Sequence, residues 1–168
     1  MSKIMTSLVL GAALIATAGC TKRTPPGLIP PGDQGPVNGG GNDGSGIRPG
    51  SAEDFRRSVL TDTVNFDLDQ YDIDPEARRI LDSQAAWLNQ YPNVSITIEG
   101  HCDERGTREY NLALGDRRAN AAKNYLAARG ISPNRITTIS YGKERPIALG
   151  SDDTSWRQNR RAVTIVIN

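Results

Sequence analysis

Histidine occurs once in this 168-residue chain, cysteine twice, and Phe, Trp and Tyr together supply only 5% of it. His101 stands beside Cys102, but neighbours on an extended chain diverge. One histidine and one spare cysteine are too small a set for a zinc centre, so no metal and no cofactor are expected. Cys20 and Cys102 are enough for one disulfide at most, and their contexts differ so much that each is read alone. Charge of one sign is also missing. Twenty Lys and Arg face 19 Asp and Glu, a formal net charge of +1. With no global field and no aromatic-rich basic face, nucleic acid is excluded as a partner. No internal repeat is evident. The length suits one domain plus extras, and 37% hydrophobic residues suffice for one modest core.

Lys3 is followed by an uncharged run of apolar and small residues at positions 4–18. The run has the length of a secretory apolar segment and is short for a helix spanning a bilayer. It ends in Thr17-Ala18-Gly19-Cys20. This stretch resembles a bacterial lipoprotein signal, in which residues 1–19 are removed and Cys20 becomes the lipidated first residue. Thr17 departs from the pattern, because an aliphatic residue commonly stands there. An ordinary signal peptide cut near Ala18 is the alternative. Several acyl chains would anchor stably where one binds only marginally. Thr21, where Asp would retain such a protein in the inner membrane, implies the outer membrane.

Between Thr21 and Gly50, half of the thirty residues are Pro or Gly and almost nothing is apolar. Such composition cannot repay the entropy of ordering. Residues 20–50 are therefore read as a lipidated cysteine and a disordered tether, with a root-mean-square span of roughly 30 Å and a stretched reach of about 100 Å.

The folded domain is expected over residues 51–168. Ser51 or Asp54 caps a short helix carrying Phe55, Val59 and Leu60. Residues 63–67 alternate as a strand, and FDLDQYDID follows as an acidic loop. Asp74-Pro75 opens a helix that runs to about Tyr91. Val94, Ile96 and Ile98 alternate as a second strand. A helix spans about 107–129, with Gly130 at its C-terminal cap. Residues 135–141 form a strand with Ile136 and Ile139 as its apolar members, broken by Gly142. A long connection follows, with a helical turn around Trp156. In the last strand, 161–167, Val163, Ile165 and Ile167 alternate with Ala162, Thr164 and Val166. Helix crossovers between strands imply right-handed βαβ units and some parallel pairing. The expected fold is an α/β (α+β) sandwich, a four-stranded mixed sheet with helices packed on one face.

Residues 98–118 concentrate charge of both signs. On the helix that ends this stretch, Tyr110, Ala121 and Tyr125 lie near Leu114, and Arg118 falls about 40° from it, inside the apolar stripe. Arg117 points away. A buried arginine needs an acceptor, because an unpaired buried charge costs several kcal/mol. That acceptor is either an internal carboxylate or a ligand carboxylate gripped by the guanidinium fork. The loop before the helix supplies Asp103 and Glu104 at the C-terminal end of a strand, where open α/β sheets place ligands. Gly100 and Gly106 flank it. An acid on the loop and an arginine on the helix together match an ammonium and a carboxylate. If the strand alternation continues, Cys102 points away from His101 and Asp103 and is packed and inert.

The stretch IEGHCDERGTREYNLALGDRRANAAKNYL, with FDLDQYDI, TISYGKERP and NRRAV, strongly resembles the peptidoglycan-binding motif of the OmpA C-terminal family. Residues 60–168 fit it. Within the family the chain is most similar to the lipidated, peptidoglycan-associated members of Gram-negative bacteria. The resemblance implies an OmpA-like domain that binds meso-diaminopimelate in the peptide stem of peptidoglycan. It puts the family's loop acid on Asp103, for the ammonium, and its helix arginine on Arg118, for the carboxylate. It makes Phe66, Asp69 and Tyr71 candidate walls and hydrogen-bonding groups, and Leu114 the packing for the ligand's apolar stem. Asn111 and Glu104 would orient the pair. Asn159 and Arg160, in the closing motif, either contribute or tie the last strand to the loops. The implied protein is a non-catalytic anchor at the periplasmic face of the outer membrane, working with TolB and other Tol proteins at division. Cys102 departs from the family, where Ala or Thr is common. The rival is a murein hydrolase using Glu99, Asp103 or Glu104 as a carboxylate pair. Arg105 and Arg108 beside these acids argue against the raised pKa that such a pair requires.

Overall fold

The structure is a computed structural model, and it describes residues 46–167. The segment expected to be a signal, the lipidated Cys20 and all but the last few tether residues lie outside that range. Four helices and a four-stranded mixed sheet fill the described part.

Helix α1, Ala52–Ser58, is capped by Ser51, whose hydroxyl accepts from the Asp54 N–H. It stops before Leu60, which is 68% exposed instead of continuing the buried stripe of Phe55 and Val59. Strand β1 is Thr63–Asn65. Helix α2, Pro75–Gln90, begins with Asp74 as cap and Pro75 in its first turn, where a missing N–H costs nothing. Strand β2 is Ser95–His101, helix α3 is Arg108–Ala128, and strand β3 is Ile136–Gly142. Thr107 caps α3, and Gly130, at φ 94°, takes the left-handed conformation just past its end. Helix α4, Asp153–Asn159, is the turn expected around Trp156, and strand β4 is Arg161–Ile167. Among the described helices none is long and apolar enough to cross a membrane.

The sheet order is β1-β4-β2-β3. β2 and β3 are parallel, joined by α3 as crossover, and β4 runs antiparallel to both β1 and β2. The core lies between one sheet face and the first three helices. Leu81 and Leu88 of α2, Leu126 and Ala122 of α3, and Ile96 and Ile98 of β2 are almost wholly buried. Each large side chain so buried stabilises by about 1.5–3 kcal/mol.

The inward face of β4 is not its more hydrophobic one. Ala162, Thr164 and Val166 are buried, while Ile165 and Ile167 are 38% and 52% exposed. The reason is register. Ala162 pairs with Gly100 beneath α3, and a Cβ on Gly100 would lie 1.8 Å from the Gly115 carbonyl oxygen. The helix backbone comes so close there that only the smallest residues fit. Thr164 is accommodated by donating to the Gln84 amide oxygen at 2.8 Å. Ile139 likewise turns to the open sheet face, 40% exposed, while Ile136 is in the core.

Candidate functional site

The close approach at Gly100 and Gly115 draws α3 tightly across β2, so side chains one turn later on α3 meet the loop that leaves the strand. The pairing of β2 with β3 slips between Gly100 and His101. Beyond it the Cys102 N–H donates to the Gly142 carbonyl at 2.8 Å. Cys102 still follows the alternation, on the α3 side with Ile98 and Gly100 and opposite His101, which stacks on Tyr141 with ring centres 5.6 Å apart. Asp103, beyond the end of β2, departs from it and lines the same pocket as Cys102, not the opposite face. The loop is then fastened from both sides. The Asn111 amide donates to the Arg105 and Thr107 carbonyls at 2.7 and 2.9 Å. The Lys143 ammonium donates to the Glu104 and Gly106 carbonyls at 3.0 and 2.7 Å.

The resulting pocket, of about 310 Å³, is lined by Leu68, Asp69, Cys102, Asp103, Arg105, Gly106, Tyr110, Asn111, Leu114, Arg118 and Arg160. That is the low end for small-ligand sites, which run about 300–1,000 Å³, and suits one end of an amino acid.

Arg118 is fully buried at its base. Within the protein its acceptors are backbone carbonyls, not the internal carboxylate that was one of the two alternatives. Nε donates to the Gln70 carbonyl at 2.9 Å, Nη1 to the His101 carbonyl at 2.8 Å and Nη2 to the Asp67 carbonyl at 3.1 Å. Nη1 also reaches the Cys102 sulfur at 3.4 Å. The Phe66 ring lies 5.3 Å from the guanidinium carbon. Three carbonyls and a thiol use four of the five N–H groups of a guanidinium. One N–H on Nη2 is left over, and among the described residues no carboxylate lies within ion-pair distance of the guanidinium. Burial pushes its pKa down, opposed by the nearby Cys102, Asp103 and Asp69.

Asp103 is 5% exposed and already occupied. Arg105 grips it with Nε at 3.1 Å and Nη2 at 2.6 Å, and adds its backbone N–H at 3.1 Å. Arg160, its Nε held by the Phe66 carbonyl at 2.9 Å, donates from Nη1 at 3.2 Å. Burial raises the Asp103 pKa, but the hydrogen bonds from Arg105 and then Arg160 outweigh it and hold the carboxyl below its usual value. Asp69 faces the same pocket from the loop after β1. It sits at φ 56°, a left-handed conformation that Asp tolerates, and among the described residues its carboxylate meets only the Tyr110 hydroxyl, at 3.3 Å.

Of the expected residues, Asp69, Asp103, Asn111, Leu114 and Arg118 are thus brought together. Phe66 stands behind Arg118 and lines a neighbouring hollow instead. Tyr71 is 42% exposed beneath Arg117 and outside the pocket. Glu104 also turns out, accepting the Trp156 indole N–H at 3.0 Å. The wall residues Leu68, Arg105 and Tyr110 were not anticipated. Tyr110 was legible, since it shares the helical stripe of Leu114. Arg105 was not, because its direction depends on the loop's path. Cys102 is 3% exposed, its thiol donating to the Asn111 carbonyl at 3.3 Å. Burial pushes its pKa up, Arg118 pulling the other way.

Residues 65–160 match the model of the OmpA family. The chain is 58% identical over 118 residues to the peptidoglycan-associated lipoprotein of Brucella melitensis, covering 70% of each. It is 49% identical over 162 residues to that of Mesorhizobium japonicum, covering 96% of this chain and 89% of the relative. The crystal structure of the peptidoglycan-associated lipoprotein from Burkholderia pseudomallei superposes with a TM-score of 0.62 at 42% identity, over 64% of this chain and 91% of that one.

Proposed function

The chain belongs to the OmpA family, and from that membership and the pocket we propose that it binds peptidoglycan without catalysis, through the diaminopimelate of the peptide stem. The carrying observation is Arg118, a buried guanidinium on a pocket wall with four of its five N–H groups taken by neutral groups and its charge unpaired among the described residues. Such a group attracts an anion of the size of a carboxylate, and its remaining Nη2 N–H can donate to it. Asp103 and Asp69 line the same pocket, so an ammonium on the same ligand atom would find an acid within the site. Leu114 and Leu68, on the same walls, would cover the methylenes that lead away from that atom. The free end of a diaminopimelate stem carries this pair of charges.

The same reading makes Cys20 a lipid anchor in the outer membrane, residues 20–50 a tether, and residues 51–168 the domain that reaches the wall. The family resemblance supports TolB and other Tol proteins as partners. A hydrolase is the poorer reading. Asp103 is held low by its arginines, and Glu104 is held low by hydrogen bonds from Ser151 and Trp156. A general acid needs the opposite shift.

The test is pull-down on purified murein with free meso-diaminopimelate as competitor, beside Arg118→Lys. Retention that the competitor abolishes and the variant lacks supports the reading. Retention indifferent to the competitor sinks it, as would murein clearing in a zymogram.

A further inference from the structure

We propose that Arg105 is an internal stand-in for the ligand's ammonium, latched on Asp103 and released only by a ligand that brings a cation of its own. This rests on the stem-peptide reading above and goes one step past it, to what a zwitterion must displace on entry and a plain carboxylate need not. The argument begins with a count of lone pairs. An ionised carboxylate offers about four acceptor positions. Asp103 receives four donors, two on each oxygen: the backbone N–H and Nε of Arg105 on Oδ1, Nη2 of Arg105 and Nη1 of Arg160 on Oδ2. An incoming ammonium has no open position, so a donor must leave.

The surroundings decide which. The side chain of Arg160 is 9% exposed and also bonded to the Phe66 carbonyl. Ejecting it would strand a buried charge. The side chain of Arg105 is 37% exposed, and its guanidinium can turn into water cheaply. The Trp156 ring, 4.1 Å from its guanidinium carbon, supports Arg105 in the latched position. Trp156 is itself held by its N–H on Glu104, one residue before the latch. Glu104 and Trp156, outside the pocket, thereby acquire a role as the support of Arg105.

The consequence is a cost that only one class of ligand bears. A ligand with a carboxylate but no ammonium engages Arg118 and leaves the latch shut. A ligand with both exchanges one cation for another on Asp103, and its affinity is lowered by the bond it replaces. Removing the latch should therefore help the second ligand and not the first.

The experiment uses the full chain and two probes. One is the tripeptide L-Ala-γ-D-Glu-meso-diaminopimelate. The other ends in 2-aminopimelate, which keeps the terminal carboxylate and lacks the terminal amine. Titration calorimetry on wild type and Arg105→Gln should show the diaminopimelate peptide binding about three- to tenfold tighter to the variant, the size of one partly exposed ion pair. The aminopimelate peptide should be unchanged. Weaker binding of the first peptide to the variant would make Arg105 a ligand contact and overturn the latch. Equal tightening of both would reduce it to a steric obstacle. No effect of Arg105→Gln, with discrimination lost in Asp69→Asn, would hand the ammonium to Asp69. If wild type and variant bind neither peptide, the stem reading itself is refuted, and the latch with it.

Discussion

Arg118 and Asp103 face one pocket without pairing with each other. The guanidinium is spent on the carbonyls of Asp67, Gln70 and His101, and the carboxylate on Arg105 and Arg160. The two charges that a zwitterion would engage are held apart by the protein's own groups. Arg118 therefore has two duties. It joins the loop after β1 to the end of β2, and it supplies the positive wall of the pocket.

Those duties can be separated. Arg118→Lys keeps the charge but cannot serve three carbonyls in different directions, so stability should fall by about 2–4 kcal/mol. Murein retention should fall at least tenfold even at temperatures where the variant is fully folded. Urea denaturation followed by circular dichroism measures the first, pull-down the second. A variant as stable as wild type would mean that the carbonyls do not depend on Arg118.

Gly100 and Gly115 should respond unequally to alanine. At Gly100 the new Cβ meets the Gly115 backbone oxygen at 1.8 Å, whereas at Gly115 the nearest atom is the Ser140 hydroxyl at 2.3 Å, which can rotate. Gly100→Ala should cost about 3 kcal/mol, the upper range for overpacking. Gly115→Ala should cost less, since alanine also gains about 1 kcal/mol of helix propensity. Thermal melts of the two variants decide, and equal losses would contradict the geometry.

His101 should make the fold acid-sensitive. Its ring is 2% exposed and neither nitrogen has a hydrogen-bond partner among the described residues. The Glu99 carboxylate, at 3.6 Å, is too far to bond. Burial, then Arg161 and Arg145, push its pKa down from 6.5 to about 4. Unfolding thus takes up a proton between these values, so this contribution is whole above pH 6.5 and declines as pH falls toward 4. It is on the order of 3 kcal/mol. Comparing urea midpoints at pH 7.5 and 4.5 for wild type and His101→Phe checks it: the variant should lose less stability on acidification.

Cys102 should be silent toward thiol reagents. Burial raises its pKa and leaves it 3% exposed, so little thiolate is available to react. Ellman's reagent should leave Cys102 unlabelled in the native domain and label it fully in urea. Rapid native labelling would show an open pocket floor.

Much of the fold was legible because its signals are local. Ser51, Asp74-Pro75, Thr107 and Gly130 stand at helix ends for reasons of backbone hydrogen bonding and conformation alone. The bounds of β4 followed from period-two alternation. Which of its faces turned inward did not. That depended on Gly100 and Ala162 meeting under α3, a contact between residues far apart in sequence. Asp103 turned to the side of Cys102 for a related reason, since alternation cannot reveal where a strand ends and its loop turns.

The site divides the same way. Helical periodicity by itself set Arg118 on the buried face and Arg117 outside, and the motif's residues pointed to Asp103 as the loop acid. Only the tertiary structure decided what each of them holds. The carbonyls that receive Arg118 come from two separate segments, and the Arg160 that shares Asp103 arrives from the far end of the domain. Pairing of that kind depends on distance in space, and the spacing of residues along a chain carries no record of it.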